Sequence, residues 1–240
     1  MSLLAASALL LRRETATLAT DDQGAYMAWM LFNLTRRAAL AGGALLAAPA
    51  QAQARKVVTL LGDSITAGFG LPSQYALPAR LQAELDAMKV SAVVRGAGVS
   101  GDTTAGGLGR VDFSVRKDTT VCVVALGGND LLRGLPPSQM KANLDAIVRK
   151  LKARRIKVVL AGIVAPPIVA ELVGAAYVRE FNAVFPAVAA QHKVPLLPNL
   201  LEGVATNARL NQGDGIHPNE EGVKLIARRL AGLVSRSLRD

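Results

Sequence analysis

Val57-Val58-Thr59-Leu60-Leu61-Gly62-Asp63-Ser64 is the stretch that decides the fold. Its first five residues are apolar or β-branched and do not alternate, which predicts a strand buried on both faces, as in a parallel sheet covered by helices. Gly62 ends the strand and Asp63-Ser64 open the turn that follows. Ser64 is thereby placed at the carboxyl end of a central strand, where open α/β sheets bind their ligands. Two readings of Asp63-Ser64 stand open at this point. They are ordinary turn residues that cap the next helix, or they present a nucleophile.

Outward from this stretch, apolar strands and amphipathic helices alternate to the end of the chain. Leu77, Leu81, Leu85 and Met88 recur at helical spacing and predict a helix over 77–88. A second strand is expected over 90–94, a weaker glycine-containing helix over 104–115 and a third strand over 121–126. Leu144, Ile147, Val148 and Leu151 mark the apolar face of a helix over 139–153. A fourth strand over 158–163 follows, then a helix over 177–191 in which Pro186 predicts a kink or a break. A fifth strand over 194–197 and a closing helix over 223–238 complete the pattern. Such alternation gives an α/β fold of three layers, α/β/α, with a parallel five-stranded sheet and right-handed crossovers.

Asp214-Gly215-Ile216-His217-Pro218-Asn219 stands just before the closing helix. Asp214 and His217 are three residues apart in a loop punctuated by Gly and Pro, so their side chains can meet. An aspartate that accepts the imidazole Nδ1 proton leaves Nε2 free as a base toward a serine hydroxyl. The chain holds two histidines. His192 closes a helical stretch, a common helix-end position, which leaves His217 as the better base. The order Ser, Asp, His is no obstacle, because such a triad is recognised by the roles of its members.

Two further loops follow predicted strands: Gly98-Val99-Ser100-Gly101-Asp102-Thr103-Thr104 and Gly127-Gly128-Asn129-Asp130. With these four blocks in order, the sequence resembles the SGNH (GDSL) hydrolase family over residues 56–237. The nearest likeness is to its bacterial acyl-CoA thioesterase, lysophospholipase and arylesterase branch. The resemblance implies a flavodoxin-like strand order 2-1-3-4-5, a nucleophilic Ser64, and His217 with Asp214. It also implies an oxyanion hole made by the backbone N–H groups of Ser64 and Gly101 and the side-chain amide of Asn129. The implied reaction is hydrolysis of an arylester, acyl-thioester or lysophospholipid through an acyl-serine. Carbohydrate O-deacetylation is an alternative on the same fold. A non-catalytic ligand-binding module is an alternative of another class, against which the intact Ser64, Asn129, Asp214 and His217 argue. Asp63 and Asp130 read as acceptors that brace the loops.

The chain has 240 residues, half of them apolar, enough for one well-cored domain over residues 55–240. Residues 1–54 read as an export-signal region. Arg36-Arg37 precedes an Ala/Gly/Leu run ending at Pro49, and small-residue sites follow at Ala50-Gln51-Ala52 and Ala52-Gln53-Ala54. The paired arginines suggest twin-arginine export to the periplasm or beyond. A membrane anchor is the alternative, and the run is shorter than the roughly 20 apolar residues of a spanning helix. Because export signals start close to their charged region, residues 1–26 read as an overextended reading frame, with Met27 or Met30 the more natural start.

Net charge is +10, and the first 54 residues contribute only Arg12, Arg13, Arg36 and Arg37 to the 28 Lys/Arg. The cations of 149–157 close a predicted helix, where they suit its dipole and form a solvated face. Aromatic residues do not interleave with the charges, so nucleic-acid binding is not expected. Transient contact with anionic lipid is an open use for them. Cys122 is the only cysteine, which excludes an intrachain disulfide. No Cys/His spacing suits zinc and no acidic loop suits calcium, so no metal or cofactor is expected.

One stretch departs from the family pattern. Ile168-Val169-Ala170-Glu171-Leu172-Val173-Gly174-Ala175-Ala176 joins the fourth strand to the Tyr177 helix and is about four residues longer than usual. It reads either as an extension of the following helix packed on the core, or as an apolar lid over an acyl chain.

Overall fold

A computed structural model describes residues 55–239, so the export-signal assignment to residues 1–54 lies outside the described residues. Strand β1 (Lys56–Gly62) is buried along nearly its whole length. It is an inner strand of a five-stranded sheet, paired in parallel with β2 (Ala92–Gly98) on one side and β3 (Val121–Ala125) on the other. Strands β4 (Lys157–Ala161) and β5 (Leu196–Leu197) continue the sheet, which has the order β2-β1-β3-β4-β5 with every pairing parallel. The α/β fold and the strand order expected from the resemblance are both present.

Helices cover the two faces. On one, α2 (Leu77–Ala87) packs against α8 (Glu220–Arg239); on the other, α3 (Thr104–Ser114), α5 (Pro137–Ala153) and α7 (Ala175–His192) lie side by side. The shorter α1 (Ser64–Ala67), α4 (Gly128–Leu132) and α6 (Ala170–Val173) all stand in loops at the carboxyl end of the sheet. Helix α8 shows why the sequence folds this way. Val223, Ile226, Leu230, Val234 and Leu238 fall on one face and are all buried, while its Arg and Glu residues ring the other. In the middle of the sheet all five residues of β3 are buried, Cys122 among them, and burial pushes the Cys122 thiol up to about 12.

The structure corrects several element boundaries. Strand β2 runs to Gly98 and not merely over 90–94, with Gly96, Ala97 and Gly98 paired to Leu60, Leu61 and Gly62. Small residues carry little apolar signal, but they are what this strand needs, because a Cβ on Gly98 would stand 2.8 Å from Asp63 O. The second strand therefore approaches the Asp63-Ser64 turn as closely as backbone allows. Helix α7 continues without a break through Pro186, and Phe181, Val184, Phe185 and Val188 are buried around it. Their packing outweighs the about 3 kcal/mol that an interior proline costs.

Residues 167–173 form a 3-10 turn (Pro167–Val169) and α6, and Gly174 at φ 86° separates them from α7. Ile168 is 59% and Leu172 85% exposed. The segment is thus neither an extension of α7 packed on the core nor a wall of the pocket described below. The cations of 149–157 are largely tied down within the protein. Arg149 meets Asp145 at 3.1 Å, Lys150 meets Asp112 at 2.7 Å, and Lys152 Nζ donates to the His192 carbonyl. His192 itself bonds Asp145 at 2.7 Å and so ties α7 to α5. Among the described residues no helix is long and apolar enough to cross a membrane.

Candidate active site

Strand β1 delivers its carboxyl end into a one-turn helix. Asp63 is the N-cap of α1, and its Oδ1 accepts the Ile65 N–H at 3.0 Å. The cap role left open in the sequence therefore belongs to Asp63, and the Ser64 hydroxyl is free for another partner. That partner is His217, whose Nε2 lies 3.0 Å from Ser64 Oγ. On the other side of the ring, Nδ1 lies 2.5 Å from Asp214 Oδ2. With the Nδ1–H donated to Asp214, Nε2 is left to accept the serine proton.

The Asp214–His217 turn is built to hold that pair. Asp214 Oδ1 accepts the N–H groups of Ile216 at 2.9 Å and His217 at 3.0 Å, an Asx turn, while Gly215 takes φ 69°. These backbone bonds, followed by the imidazole bond, hold the Asp214 carboxyl down at about 2. It is therefore ionised at neutral pH. The turn is fastened to the rest of the site by Gln212, which donates from Nε2 to Phe69 O at 2.7 Å and to Pro218 O at 3.0 Å. The Phe69 ring lies over the His217 ring with centroids 4.6 Å apart. Sequence reasoning missed both Gln212 and Phe69. Their only signal is adjacency, Phe69 five residues past the serine and Gln212 two before the aspartate.

The other two loops arrive from β2 and β3. Gly101 has φ 82°, a left-handed conformation that favours glycine, whereas a Cβ there would meet nothing closer than 3.6 Å. Backbone angle, more than crowding, is thus the reason for glycine at this position. Asn129 lies in α4 and donates from Nδ2 to Asp102 O at 2.9 Å. One amide hydrogen is used in this way, which fixes the direction of the other. Asp130 accepts from Thr104 N at 2.8 Å and from Thr104 Oγ1 at 2.6 Å, tying the two loops together. Both Asp63 and Asp130 brace loops, as expected.

Ser64, Gly101, Asn129 and His217 line one pocket of about 360 Å³, with Asp214 behind the histidine. Its remaining wall is mostly apolar, including Leu131, Leu132, Ile163, Val164 and Leu201. Asp63 lies at the pocket floor, only 4% exposed, and burial pushes its carboxyl up to about 6. The arrangement provides a hydroxyl, a base aligned on it, an amide donor and an apolar cavity for a substrate chain.

Residues 60–225 match the model of the GDSL-like Lipase/Acylhydrolase family. The chain belongs to this family. Among GDSL-like relatives, it is 40% identical to Esterase TesA of Pseudomonas aeruginosa over 76% of this chain and 90% of that protein. It is 35% identical to Thioesterase 1/protease 1/lysophospholipase L1 of Escherichia coli K12, over 74% of this chain and 82% of that protein. The solved structure of the psychrotrophic esterase EstA from Pseudoalteromonas sp., inhibited by monoethylphosphonate, superposes with a TM-score of 0.70. There the identity is 29%, with 77% of this chain and 100% of that one covered. Family and relatives together make this GDSL-like chain an ester hydrolase of the esterase and thioesterase kind.

Proposed function

We propose that the protein is an exported serine esterase or thioesterase that cleaves acyl esters through an acyl enzyme on Ser64, preferring medium or long acyl chains to acetate. One observation carries the reading: the Ser64–His217–Asp214 chain, at 3.0 and 2.5 Å, opens into a mostly apolar pocket. A serine hydroxyl is a poor nucleophile until a base takes its proton during attack. His217 takes that proton, and Asp214 holds the ring and stabilises the imidazolium. The substrate carbonyl becomes an oxyanion, which accepts from the N–H groups of Ser64 and Gly101 and the free amide hydrogen of Asn129. As the tetrahedral adduct collapses, His217 returns its proton to the leaving alcohol or thiol. Water then gives a proton to His217 as it attacks the acyl-serine, and when that second adduct collapses His217 returns the proton to Ser64 Oγ, releasing the acid and restoring the serine hydroxyl.

A phosphonate-inhibited relative with the same fold supports a serine nucleophile. The apolar wall supports the chain-length preference, since each buried methylene adds about 0.8 kcal/mol. Export rests on the Arg36-Arg37 pair, the apolar run and the Ala-X-Ala sites that follow it. The test is a fluorophosphonate probe together with a panel of p-nitrophenyl esters, acyl-CoAs, lysophospholipid and acetylated sugars. The expected result is a single label on Ser64, lost together with hydrolysis in Ser64→Ala, and faster turnover of octanoyl than acetyl esters. Labelling elsewhere, or full activity in Ser64→Ala, refutes the mechanism. A preference for acetylated sugars refutes the substrate class.

A further inference from the structure

Arg110 lies in the middle of α3, pointing back under the loops that carry the site. Its guanidinium is engaged in every direction. Nε meets Asp102 Oδ2 at 2.5 Å, Nη1 donates to Ala97 O at 2.8 Å and to Ser114 Oγ at 3.2 Å, and Nη2 donates to Gly62 O at 2.8 Å. Both members of the Arg110–Asp102 pair are mostly buried, with side chains 18% and 16% exposed. The two carbonyls it holds, Gly62 and Ala97, belong to the carboxyl ends of β1 and β2. The carboxylate it holds belongs to the residue after Gly101, and that same residue's carbonyl accepts the Asn129 amide.

We propose that Arg110 is a positioning residue for the oxyanion hole, acting through Asp102 to aim the Asn129 side chain. This rests on the role given to Asn129 under the proposed function. An amide is a useful oxyanion donor only when its free hydrogen points at the place where charge develops. Asn129 takes its direction from Asp102 O, and Asp102 has its place set from two sides. Arg110 grips its carboxylate against the two strand ends. The Gly106 backbone of α3 packs so closely on it that a Cβ at Gly106 would overlap Asp102 Oδ1. An arginine suits the task because its planar fork reaches a carboxylate and two carbonyls at once, which a lysine ammonium cannot do with the same geometry.

The experiment is a double-mutant cycle between Arg110→Met and Asn129→Ala, read as kcat and KM on a p-nitrophenyl ester. The parent chain and Ser64→Ala serve as controls. A single oxyanion donor is worth roughly 10²–10³ in kcat, which sets the ceiling. Arg110→Met is expected to lower kcat by about tenfold or more with KM little changed, and to cost less than about twofold once Asn129 is already alanine. Arg110→Lys goes through the same cycle and decides the matter where Arg110→Met does not fold. A general structural role predicts something else, namely the same factor lost with and without Asn129. That result, or a rise in KM at constant kcat, overturns the proposal. If Ser64→Ala retains hydrolysis, the serine mechanism itself has failed. If Ser64→Ala is dead and the cycle is additive, only the role of Arg110 has failed.

Discussion

Replacing Asp63 by asparagine changes one charge beside Ser64 and leaves the cap oxygen in place. Asp63 is 4% exposed, and burial raises its carboxyl from 3.8 to about 6 against the opposing pull of the Ile65 N–H and of His217. The folded value lies above the unfolded one, so between pH 4 and 6 the native chain holds a proton that the unfolded chain has released. Stability from the neutral form is complete below about 3.8 and is lost as pH rises through about 6. At 1.36 kcal/mol per tenfold change in acidity, the loss is about 3 kcal/mol. Asp63→Asn has no such loss. Denaturant unfolding of both proteins at pH 4 to 8 reads the difference directly. The asparagine variant should gain on the parent by about 2–2.5 kcal/mol between pH 4 and pH 8, with the gain centred near pH 5. Asp214, Asp112, Asp118 and Asp145, whose carboxyls are all held low by their partners, contribute alike in both chains and cancel. An offset of either sign that does not vary with pH would refute the reasoning, for it would report only how the amide packs.

Three further outcomes are expected. His217→Ala should lower kcat/KM by several orders of magnitude while His192→Ala leaves it unchanged, because the His192 ring is bound to Asp145 between two helices; equal losses would mean that the wrong histidine has been assigned. Gly62→Ala should fail to fold or melt far lower, since its Cβ would overlap Thr66 Oγ1 and lie 2.9 Å from Ala125 O; overpacking of this kind costs about 1–3 kcal/mol or more. Gly213→Ala, which meets nothing within 4 Å, is its control in the same thermal melt. Leu132→Ser and Val164→Ser should reduce kcat/KM for octanoyl esters much more than for acetyl esters, and equal losses would show that the acyl chain lies elsewhere.

Where the sequence was legible, a single physical signal sufficed. β1 shows itself because burial on both faces demands an unbroken apolar run, and Ser64 follows from where that run ends. Asp214 and His217 are legible because three residues of a tight turn bring them together without help from the rest of the fold. What was illegible depends on contacts across the chain. The far half of β2 is Gly and Ala because it lies against the Asp63 backbone, and apolar patterning has nothing to detect in such residues. Arg110 looks like any polar residue on a weak helix until Gly62, 48 positions away, is seen to accept from it. The 168–176 segment is apolar yet exposed and is set off from α7 by Gly174, a placement that apolar patterning cannot tell from a helix extension packed on the core.

Cys122 gives the protein a built-in clock for its own opening. The thiol is the only one in the chain and is fully buried in β3, between β1 and β4. Its thiolate form is suppressed by burial, so an alkylating reagent finds nothing to react with while the sheet is intact. Fraying of α6 or of the site loops leaves the centre of the sheet closed. Modification therefore waits for the rare event in which the whole domain comes apart, and its rate reports the open population when reclosing outpaces alkylation and the opening rate when alkylation is faster, in plain buffer without denaturant or heat. Substrates, inhibitors and variants can then be ranked by how long each keeps that one sulfur out of reach.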